Sequence, residues 1–398
     1  MQAWVSALAT TLGMQTVSSF MNQSLPIVAP LLTAGAGMAP EGIGNIQSMN
    51  ALGAVLFLTF GGPLLARWGP VRSLQAGTFL TVAGLAVAAS GWWPALLLSG
   101  LVMGIGYGPS PPAGSRILAA TAPPRHRTLI FSIKQAGAPA GGALAGFLLA
   151  PAAAEFGWPA ALLIAVAVGL VAALVIESQR DRLDVERDPA QPIGPGALFR
   201  LDNVREPFRA ATATPALVTL VALGVAFSLV QGCLFAFTVT YLSVDRGLSL
   251  PAAGSAYAAM QGAGVVARIA LGWLADRTGS PAVNLTVQAV LASAAVLGLA
   301  AIPSGAPLWL FASGCATTGF LAASWNGIYM AEVVRLSPPS SMIAATSGSS
   351  VFTFLGYTAG PTIFSLLVTY GGWHTAFVTF AAQLGLMAAV QGWLLLRR

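Results

Sequence analysis

Apolar stretches of about 20 residues recur along the whole chain, which is the length that an α-helix needs to cross a bilayer. Only 8% of the 398 residues are charged and 56% are hydrophobic, whereas soluble domains carry roughly 25% charged residues. A water-soluble fold is therefore excluded, and the sequence predicts an all-α integral membrane protein. We expect twelve transmembrane helices, named spans 1 to 12, at 4–33, 42–66, 72–93, 95–118, 127–152, 158–178, 213–243, 251–275, 282–302, 306–333, 342–369 and 373–396.

The basic residues are distributed unequally between the two sides of this arrangement. Fourteen of the eighteen lie in loops or tails on one side, one lies in a loop on the other side, and three lie within spans. Because positively charged loops stay in the cytoplasm, we expect both termini to be cytoplasmic and the protein to lie in a bacterial-type inner membrane. The first span has no charged segment before it, so we expect it to be retained rather than cleaved as a signal peptide. The net charge of +6 then reflects topology and does not indicate nucleic-acid binding.

One long polar segment, 179–211, contains six arginines and six acidic residues. It predicts a cytoplasmic linker between two six-helix halves, 1–178 and 212–398. The halves repeat each other, because GGPLLARWG at 61–69 matches LGWLADRTG 210 residues later, and Gly157-Trp158 matches Gly372-Trp373, 215 residues later. Parallel repeats of this kind are typical of secondary transporters.

The loop after span 8 carries the most informative motif, GWLADRTG. Gly272, Asp276, Arg277 and Gly279 stand where the major facilitator superfamily has its cytoplasmic signature, and the chain resembles that superfamily over its whole length. The resemblance implies two pseudo-symmetric six-helix bundles that transport by alternating access. Gly272 would let two helices approach closely, Gly279 would allow a tight turn, and Asp276 would cap a helix or pair across a gate.

The corresponding loop of the first half departs from this signature. It keeps Arg67, Gly69 and Arg72 but has Ala66 where the family has an aspartate. We therefore expect this loop to lack one capping acid, so that the two halves of the cytoplasmic gate differ.

Three basic residues, Arg116, Lys134 and Arg268, lie within spans. A cation in hydrocarbon is costly and is kept where it faces a partner or a water-filled cavity. The one candidate counter-charge is Glu332, which is also a gate candidate. The sequence therefore predicts a pocket that binds an anion.

Arg268 is the main candidate for binding that anion. With a glycine four residues later and an alanine seven residues later, it resembles span 8 of monocarboxylate and oxalate-type carriers, which implies that it engages the substrate carboxylate. A guanidinium also gives a carboxylate two parallel charged hydrogen bonds. Gln261 falls on the same helical face. The alternative is that Arg268 pairs with Glu332 as a gate latch.

Lys134, which directly precedes Gln135, is a second candidate for binding the anion. A buried lysine shifts its pKa readily and can load a proton as an anion leaves, so protons are a possible coupling ion. The alternative is that Lys134 extends to the cytoplasmic face. For Arg116, near the end of span 4, ligand binding and a gate role both stay open.

Polar and aromatic residues on other spans would complete the pocket, although such faces more often pack against neighbouring helices. Gln15 and Gln231 belong to two of these faces. The further candidates for contact with the substrate are Asn22, Trp325, Asn326, Tyr329 and Tyr357.

Several classes of function are disfavoured. No acidic residue lies in the middle of a predicted span, which argues against a carboxylate proton relay and against a pocket for organic cations. Cys233 and Cys315 have no metal-ligand spacing, and no phosphate-binding loop or nucleophile–base pair is found. We therefore expect no metal, no cofactor and no enzymatic activity.

We predict a monomeric secondary transporter that moves a small organic anion, a carboxylate, through the lipid bilayer. One alternative is a proton-driven drug antiporter, because SIKQAGAPAGGALAG in span 5 partly resembles the glycine-proline motif of that group. Ala138 before Pro139 departs from that motif. The other alternative is a receptor that binds the anion without transporting it.

Overall fold

A computed structural model describes residues 3–123, 127–185, 187–200, 202–338 and 341–397. These residues form helices and connecting turns, without a β-strand among them. Eight helices of the described part are long and apolar enough to cross a membrane by length and composition. The count of eight differs from twelve because several spans consist of two shorter helices each and one long helix contains two spans. The prediction of twelve spans is confirmed.

The helices of the first half end within a few residues of the predicted boundaries. Spans 1, 2, 4 and 5 each consist of two helical pieces, and spans 3 and 6 are continuous. In order, their bounds are Ala3–Asn22 and Ser24–Gly35, Ile43–Phe60 and Gly62–Trp68, Pro70–Ala88, Trp93–Tyr107 and Ser110–Thr121, Arg127–Gln135 and Gly137–Phe156, and Trp158–Glu177.

The second half is more continuous. Span 7 ends in one turn of π-helix, span 10 is broken, and spans 11 and 12 form one helical run with a kink at Gly372. In order, the bounds are Pro215–Thr240 with the π-turn Tyr241–Asp245, Leu250–Thr278, Pro281–Ala300, Leu308–Ala322 and Asn326–Leu336, and Met342–Leu396.

Two glycines that the sequence repeat relates also share a backbone conformation. Gly157 between spans 5 and 6 has φ 83° and ψ 160°, and Gly372 between spans 11 and 12 has φ 78° and ψ 169°. This region of φ and ψ is open essentially to glycine alone. The repeat therefore extends from the sequence to the geometry of the turns.

Small residues bring matching pairs of helices together in each half. A Cβ on Gly141 of span 5 would collide with the Thr16 carbonyl of span 1. A Cβ on Gly360 of span 11 would lie 2.7 Å from the Leu229 carbonyl oxygen of span 7. Glycine at these positions allows the two backbones of each pair to touch.

The chain divides into two compact units. Unit 1 comprises Met1–Met38 and Met49–Arg200, and unit 2 comprises Ala39–Ser48 and Leu201–Arg398. The linker contains the short helices Arg180–Leu183, Pro195–Leu198 and Asp202–Ala211. Its first part packs on unit 1, where the Asp188 N–H donates to the Ala66 carbonyl.

Asp184 of the linker caps the start of span 3. One carboxylate oxygen accepts from the Val71 N–H at 2.6 Å and the other accepts from the Arg72 N–H at 3.2 Å. These are helix N-terminal donors that have no partner within the helix. The loop itself has Ala66 in place of the expected aspartate. The linker therefore supplies a capping acid from outside the loop.

Gly69 leaves the space that this cap occupies. A Cβ on Gly69 would lie 2.6 Å from Cγ of Asp184. Burial raises the pKa of Asp184 above its ordinary value, although the two amides favour the ionised form. The cap is thus a partly desolvated charge.

Candidate functional site

Span 4 of unit 1 is broken in the middle of its length, at Gly108 and Pro109. Pro109, Pro111 and Pro112 follow one another closely, and a proline has no N–H to give to the carbonyl four residues before it. The loss of three backbone donors within four residues explains why the helix ends at Tyr107 and restarts at Ser110.

A glutamine of span 1 connects the two ends of this break. The Gln15 amide N–H donates to the Tyr107 hydroxyl at 3.2 Å, and the Ser110 hydroxyl donates to the Gln15 amide oxygen at 3.3 Å. Gln15 is itself buried. Gln15, Tyr107 and Ser110 are named polar cluster 1.

Lys134 lies close to the same break. Its side chain is 1% exposed, and its ammonium donates to the Pro111 carbonyl at 3.2 Å and to the Gln135 amide oxygen at 3.5 Å. A Cβ on Gly114 of span 4 would lie 2.6 Å from Cε of Lys134, so this glycine makes room for the lysine. The ammonium is therefore held inside unit 1 and does not extend to the membrane surface.

Span 10 of unit 2 is broken as well, between Ala322 and Asn326. No proline lies at this break, and side chains replace the missing backbone donors instead. The Ser324 hydroxyl donates to the Gly319 carbonyl at 3.1 Å, and the Gln231 amide of span 7 donates to the Ala323 carbonyl at 3.4 Å.

Gln231 also reaches the second piece of span 10. Its amide oxygen accepts from the Trp325 indole N–H at 3.1 Å. A glutamine from the first span of unit 2 therefore connects both ends of a broken helix, as Gln15 does in unit 1. Gln231, Ser324 and Trp325 are named polar cluster 2.

The two aromatic candidates of span 10 are both buried within unit 2. The Trp325 ring stacks on Phe227 at 5.4 Å between centroids, and the Tyr329 ring meets Trp325 edge-on at 5.3 Å. The Tyr329 hydroxyl lies beside Ser349 and makes no hydrogen bond with another described residue. A buried hydroxyl without a partner is costly, so this atom is a suitable partner for a polar group of a ligand.

Two residues of span 8, Tyr257 and Gln261, lie one turn apart on one helical face. Tyr257 and Gln261 are buried and joined by a hydrogen bond of 2.6 Å from the Gln261 amide to the Tyr257 hydroxyl. Arg268 lies two turns further along and is half-buried.

Glu332 forms an ion pair within its own helix. Its two oxygens accept from Nε and Nη2 of Arg335, both at 2.6 Å. The Glu332 side chain is 1% exposed, whereas Arg335 is 60% exposed. The acid that could serve as a latch for Arg268 is thus engaged by a neighbour one turn away.

The other substrate-site candidates are distributed over both units. Asn22 accepts a hydrogen bond of 2.6 Å from Asn50 in unit 1. Gln135 and Asn326 are exposed. Tyr357 is half-buried and lies edge-on to Phe235 at 6.4 Å.

Arg116 contacts a backbone carbonyl of span 2. It is half-buried near the end of span 4, and its guanidinium donates to the Leu65 carbonyl at 3.4 Å. It lines a separate cavity with residues of the linker.

The gate candidates lie at the ends of the helices. Arg67 donates to the Gln191 carbonyl of the linker at 3.1 Å. Asp276 and Arg277 are exposed in the last turn of span 8, with the Arg277 guanidinium 5.2 Å from the centroid of the Trp273 ring. Gly279 ends the helix with φ 63°, which agrees with the predicted turn.

Close helix packing at Gly272 is not found in this structure. A Cβ built there would have no heavy atom of the described residues within 4 Å. The described residues supply no close helix contact at Gly272 in this structure, and its role in helix packing stays a prediction.

Sequence reasoning missed the partners of the two glutamines. Gln15 and Gln231 are 216 residues apart, close to the repeat offset, so applying the repeat to polar positions within spans would have paired them. The break in span 4 had a signal in Pro109, Pro111 and Pro112. The sequence carried no signal for the cap by Asp184, because Asp184 lies more than 100 residues along the chain from the amides of span 3 that it contacts.

Comparisons with known proteins agree with this architecture. The sequence model of the Major Facilitator Superfamily matches residues 11–348. A 4-hydroxybenzoate transporter of Pseudomonas aeruginosa is 28% identical over 278 residues, covering 64% of this chain and 62% of that protein. A hexuronate transporter of Bacillus subtilis is 25% identical over 161 residues, covering 40% of this chain and 38% of that protein. The similarity thus spans less than two thirds of the length of either relative.

The fold is similar to that of solved structures. The crystal structure of a nucleoside transporter superposes with a TM-score of 0.78 over 97% of this chain and 99% of that one, at 14% sequence identity. At this identity the likeness shows the fold alone.

Proposed function

This chain belongs to the Major Facilitator Superfamily, and on that premise we propose that it is a secondary active transporter of a small organic anion. The cargo in this proposal is a carboxylate, and transport proceeds by alternating access across the cytoplasmic membrane, with both termini inside. The two relatives support this class, because 4-hydroxybenzoate and hexuronates are both carboxylates.

The observation that carries the proposal is the position of Arg268. It lies within span 8, half-buried, on the helical face that also bears Gln261. An arginine keeps its charge at any physiological pH, and its planar guanidinium matches a carboxylate in two parallel hydrogen bonds. An anion bound there lowers the cost of keeping this charge within the membrane.

The aromatic residues of unit 2 suit a substrate anion that carries a ring or several hydroxyl groups. Trp325 and Tyr329 form a fixed wall, since Gln231 and Phe227 hold the indole. The Tyr329 hydroxyl, which is buried and has no hydrogen-bond partner among the described residues, is the atom that we expect to gain a partner from a substrate or from bound water.

Lys134 is the candidate for coupling transport to protons. Its ammonium is held by two oxygens and lies next to the break in span 4. A broken helix can change shape at low cost, and discontinuous helices commonly form transporter substrate sites. A change at this break would alter the environment of the ammonium and hence its affinity for a proton.

Thermal unfolding of the detergent-purified protein, measured with a panel of small carboxylates and of organic cations, tests the proposal. We expect one or more carboxylates to raise the unfolding temperature. Arg268→Gln should weaken the affinity by about 10- to 150-fold, the equivalent of the 1.5–3 kcal/mol of a charged hydrogen bond. Arg277→Gln is the matched control, because Arg277 is an exposed arginine of the same helix.

Lys134→Gln, measured on the same panel, tests the second cation. Stabilisation by organic cations alone, unchanged in Arg268→Gln and Lys134→Gln, would contradict the anion proposal and favour drug efflux. Stabilisation by a carboxylate without its uptake into proteoliposomes would favour a receptor.

A further inference from the structure

A small cavity lies in unit 1 outside the proposed substrate site. Its volume is about 150 Å³, and it lies between the start of span 3, the end of span 4 and the linker. Pro70, Arg116, Thr121 and Arg182 are among its lining residues. The distribution of basic residues predicts that this end of unit 1 faces the cytoplasm.

The charged residues that line the cavity are both arginines, Arg116 and Arg182. The side chain of Arg182 is exposed, and its guanidinium makes no hydrogen bond or ion pair with another residue of the described part of the chain.

Two acids of this region, the buried Asp184 and the exposed Glu177, make their contacts with other groups. Both oxygens of Asp184 accept from the amides at the start of span 3. Glu177 accepts from the Gln75 amide at 2.6 Å and pairs with Arg72 and Arg180, each at 3.4 Å. The positive charge of the cavity is therefore not balanced by these carboxylates.

The floor of the cavity is apolar and well packed. Ile117 and Leu183 line it. Ile117 belongs to a buried hydrophobic cluster with Val71 and Leu74, and the partly buried Leu183 packs against that cluster. Asp184, the residue after Leu183, caps span 3 and so holds this part of the linker in place. Arg116 and Arg182, which come from separate elements, are thus presented by a fixed framework.

The size and charge of the cavity restrict what it can bind. Pockets for drug-sized ligands have about 300–1,000 Å³, so this cavity is too small for a typical organic substrate. Guanidinium groups bind phosphate oxygens in pairs. Two guanidiniums over an apolar floor at a membrane boundary suit one phosphate group.

We infer that this cavity binds a phosphate group, from either a soluble phosphate compound or the headgroup of an anionic phospholipid. Bound phosphate connects Arg116 of span 4 with Arg182 of the linker. It therefore holds the linker against the end of span 4 and stabilises unit 1, independently of the transported substrate.

Two parallel measurements of thermal unfolding test this inference. In the first, detergent-purified protein is compared in inorganic phosphate and in chloride at equal ionic strength. In the second, the protein is compared in nanodiscs of phosphatidylcholine with and without phosphatidylglycerol. Both use the wild type, Arg182→Gln, Arg116→Gln and the control Arg200→Gln, an exposed arginine of the same linker that does not line the cavity.

We expect the wild type and Arg200→Gln to be stabilised, and both cavity variants to lose most of that stabilisation. Arg182→Gln is the decisive variant, because its side chain is exposed outside the spans and its loss does not disturb the fold. A response to inorganic phosphate identifies a soluble ligand, and a response to phosphatidylglycerol alone identifies a lipid headgroup. An equal response in Arg182→Gln and Arg200→Gln, or no response in either measurement, overturns the inference.

Discussion

Spans 4 and 10 are broken at repeat-related positions, but for different physical reasons. In unit 1 the break is fixed by the backbone, because Pro109, Pro111 and Pro112 cannot donate hydrogen bonds. In unit 2 no proline is present, and the hydroxyl of Ser324 and the amide of Gln231 satisfy the carbonyls at the break. One feature of the fold is therefore produced by proline in one half and by side-chain hydrogen bonds in the other.

The comparison indicates which break depends more on side chains. Prolines keep a helix interrupted even when the angle between its two pieces changes. At a break without proline, the loss of the donating side chain leaves a buried carbonyl without its partner. We therefore expect unit 2 to depend more strongly on its glutamine than unit 1 does.

The largest expected effect comes from Gln231→Leu. The variant leaves the Trp325 N–H and the Ala323 carbonyl buried without their partner, at about 1–3 kcal/mol for each group. Gln15→Leu affects two hydroxyls, which can rotate towards other acceptors, so it should cost less. Thermal unfolding of both variants in the same detergent measures the difference, and equal destabilisation would contradict the proposed asymmetry.

The two glycines of the repeated loops, Gly69 and Gly279, provide the second test. Gly69 has φ 87° and ψ 164°, a region essentially restricted to glycine, and Gly279 has φ 63° and ψ 12°. Gly69→Ala should destabilise by about 1–3 kcal/mol from backbone strain, with an added cost because the new Cβ would lie 2.6 Å from Cγ of Asp184.

Gly279→Ala has open space around its Cβ and should cost about 1–2 kcal/mol. Comparison of the two unfolding temperatures is the measurement. A larger loss for Gly279→Ala would show that Asp184 does not occupy the space beside Gly69.

The smallest expected effect is a pH dependence from Asp184, which has no equivalent in the other loop. Burial raises the pKa of this carboxyl above its ordinary value of 3.8, so the folded state favours the protonated form. The contribution of Asp184 to stability is therefore complete below the ordinary pKa and falls as the pH rises through the raised pKa.

Asp184→Asn keeps an amide oxygen for the cap and is neutral at every pH. Unfolding temperatures of wild type and variant between about pH 4 and pH 7 should show the wild type losing stability relative to the variant as the pH rises. Parallel curves for the two proteins would show that the carboxyl is not desolvated by the contact with span 3.

The sequence predicts the twelve spans and the repeat well, because both depend on local hydrophobicity and on turn residues such as Gly157 and Gly372. It also identifies Lys134 and Arg268, since a charge inside an apolar stretch is visible without a structure. It cannot give the partner of Gln231, which lies more than 90 residues away on another helix. Nor can it give the cap by Asp184, because charge density in the linker does not show which acid folds back on span 3.

The most direct test of anion transport through Arg268 is uptake, into proteoliposomes, of the carboxylate that stabilises the wild type. The proteins to compare are wild type, Arg268→Lys, Arg268→Gln and the control Arg200→Gln, which changes an exposed arginine of the linker. If the planar guanidinium binds the carboxylate, Arg268→Gln abolishes uptake, Arg268→Lys reduces it strongly although it keeps the charge, and Arg200→Gln still transports. Uptake by Arg268→Gln at the rate of the wild type would contradict the account.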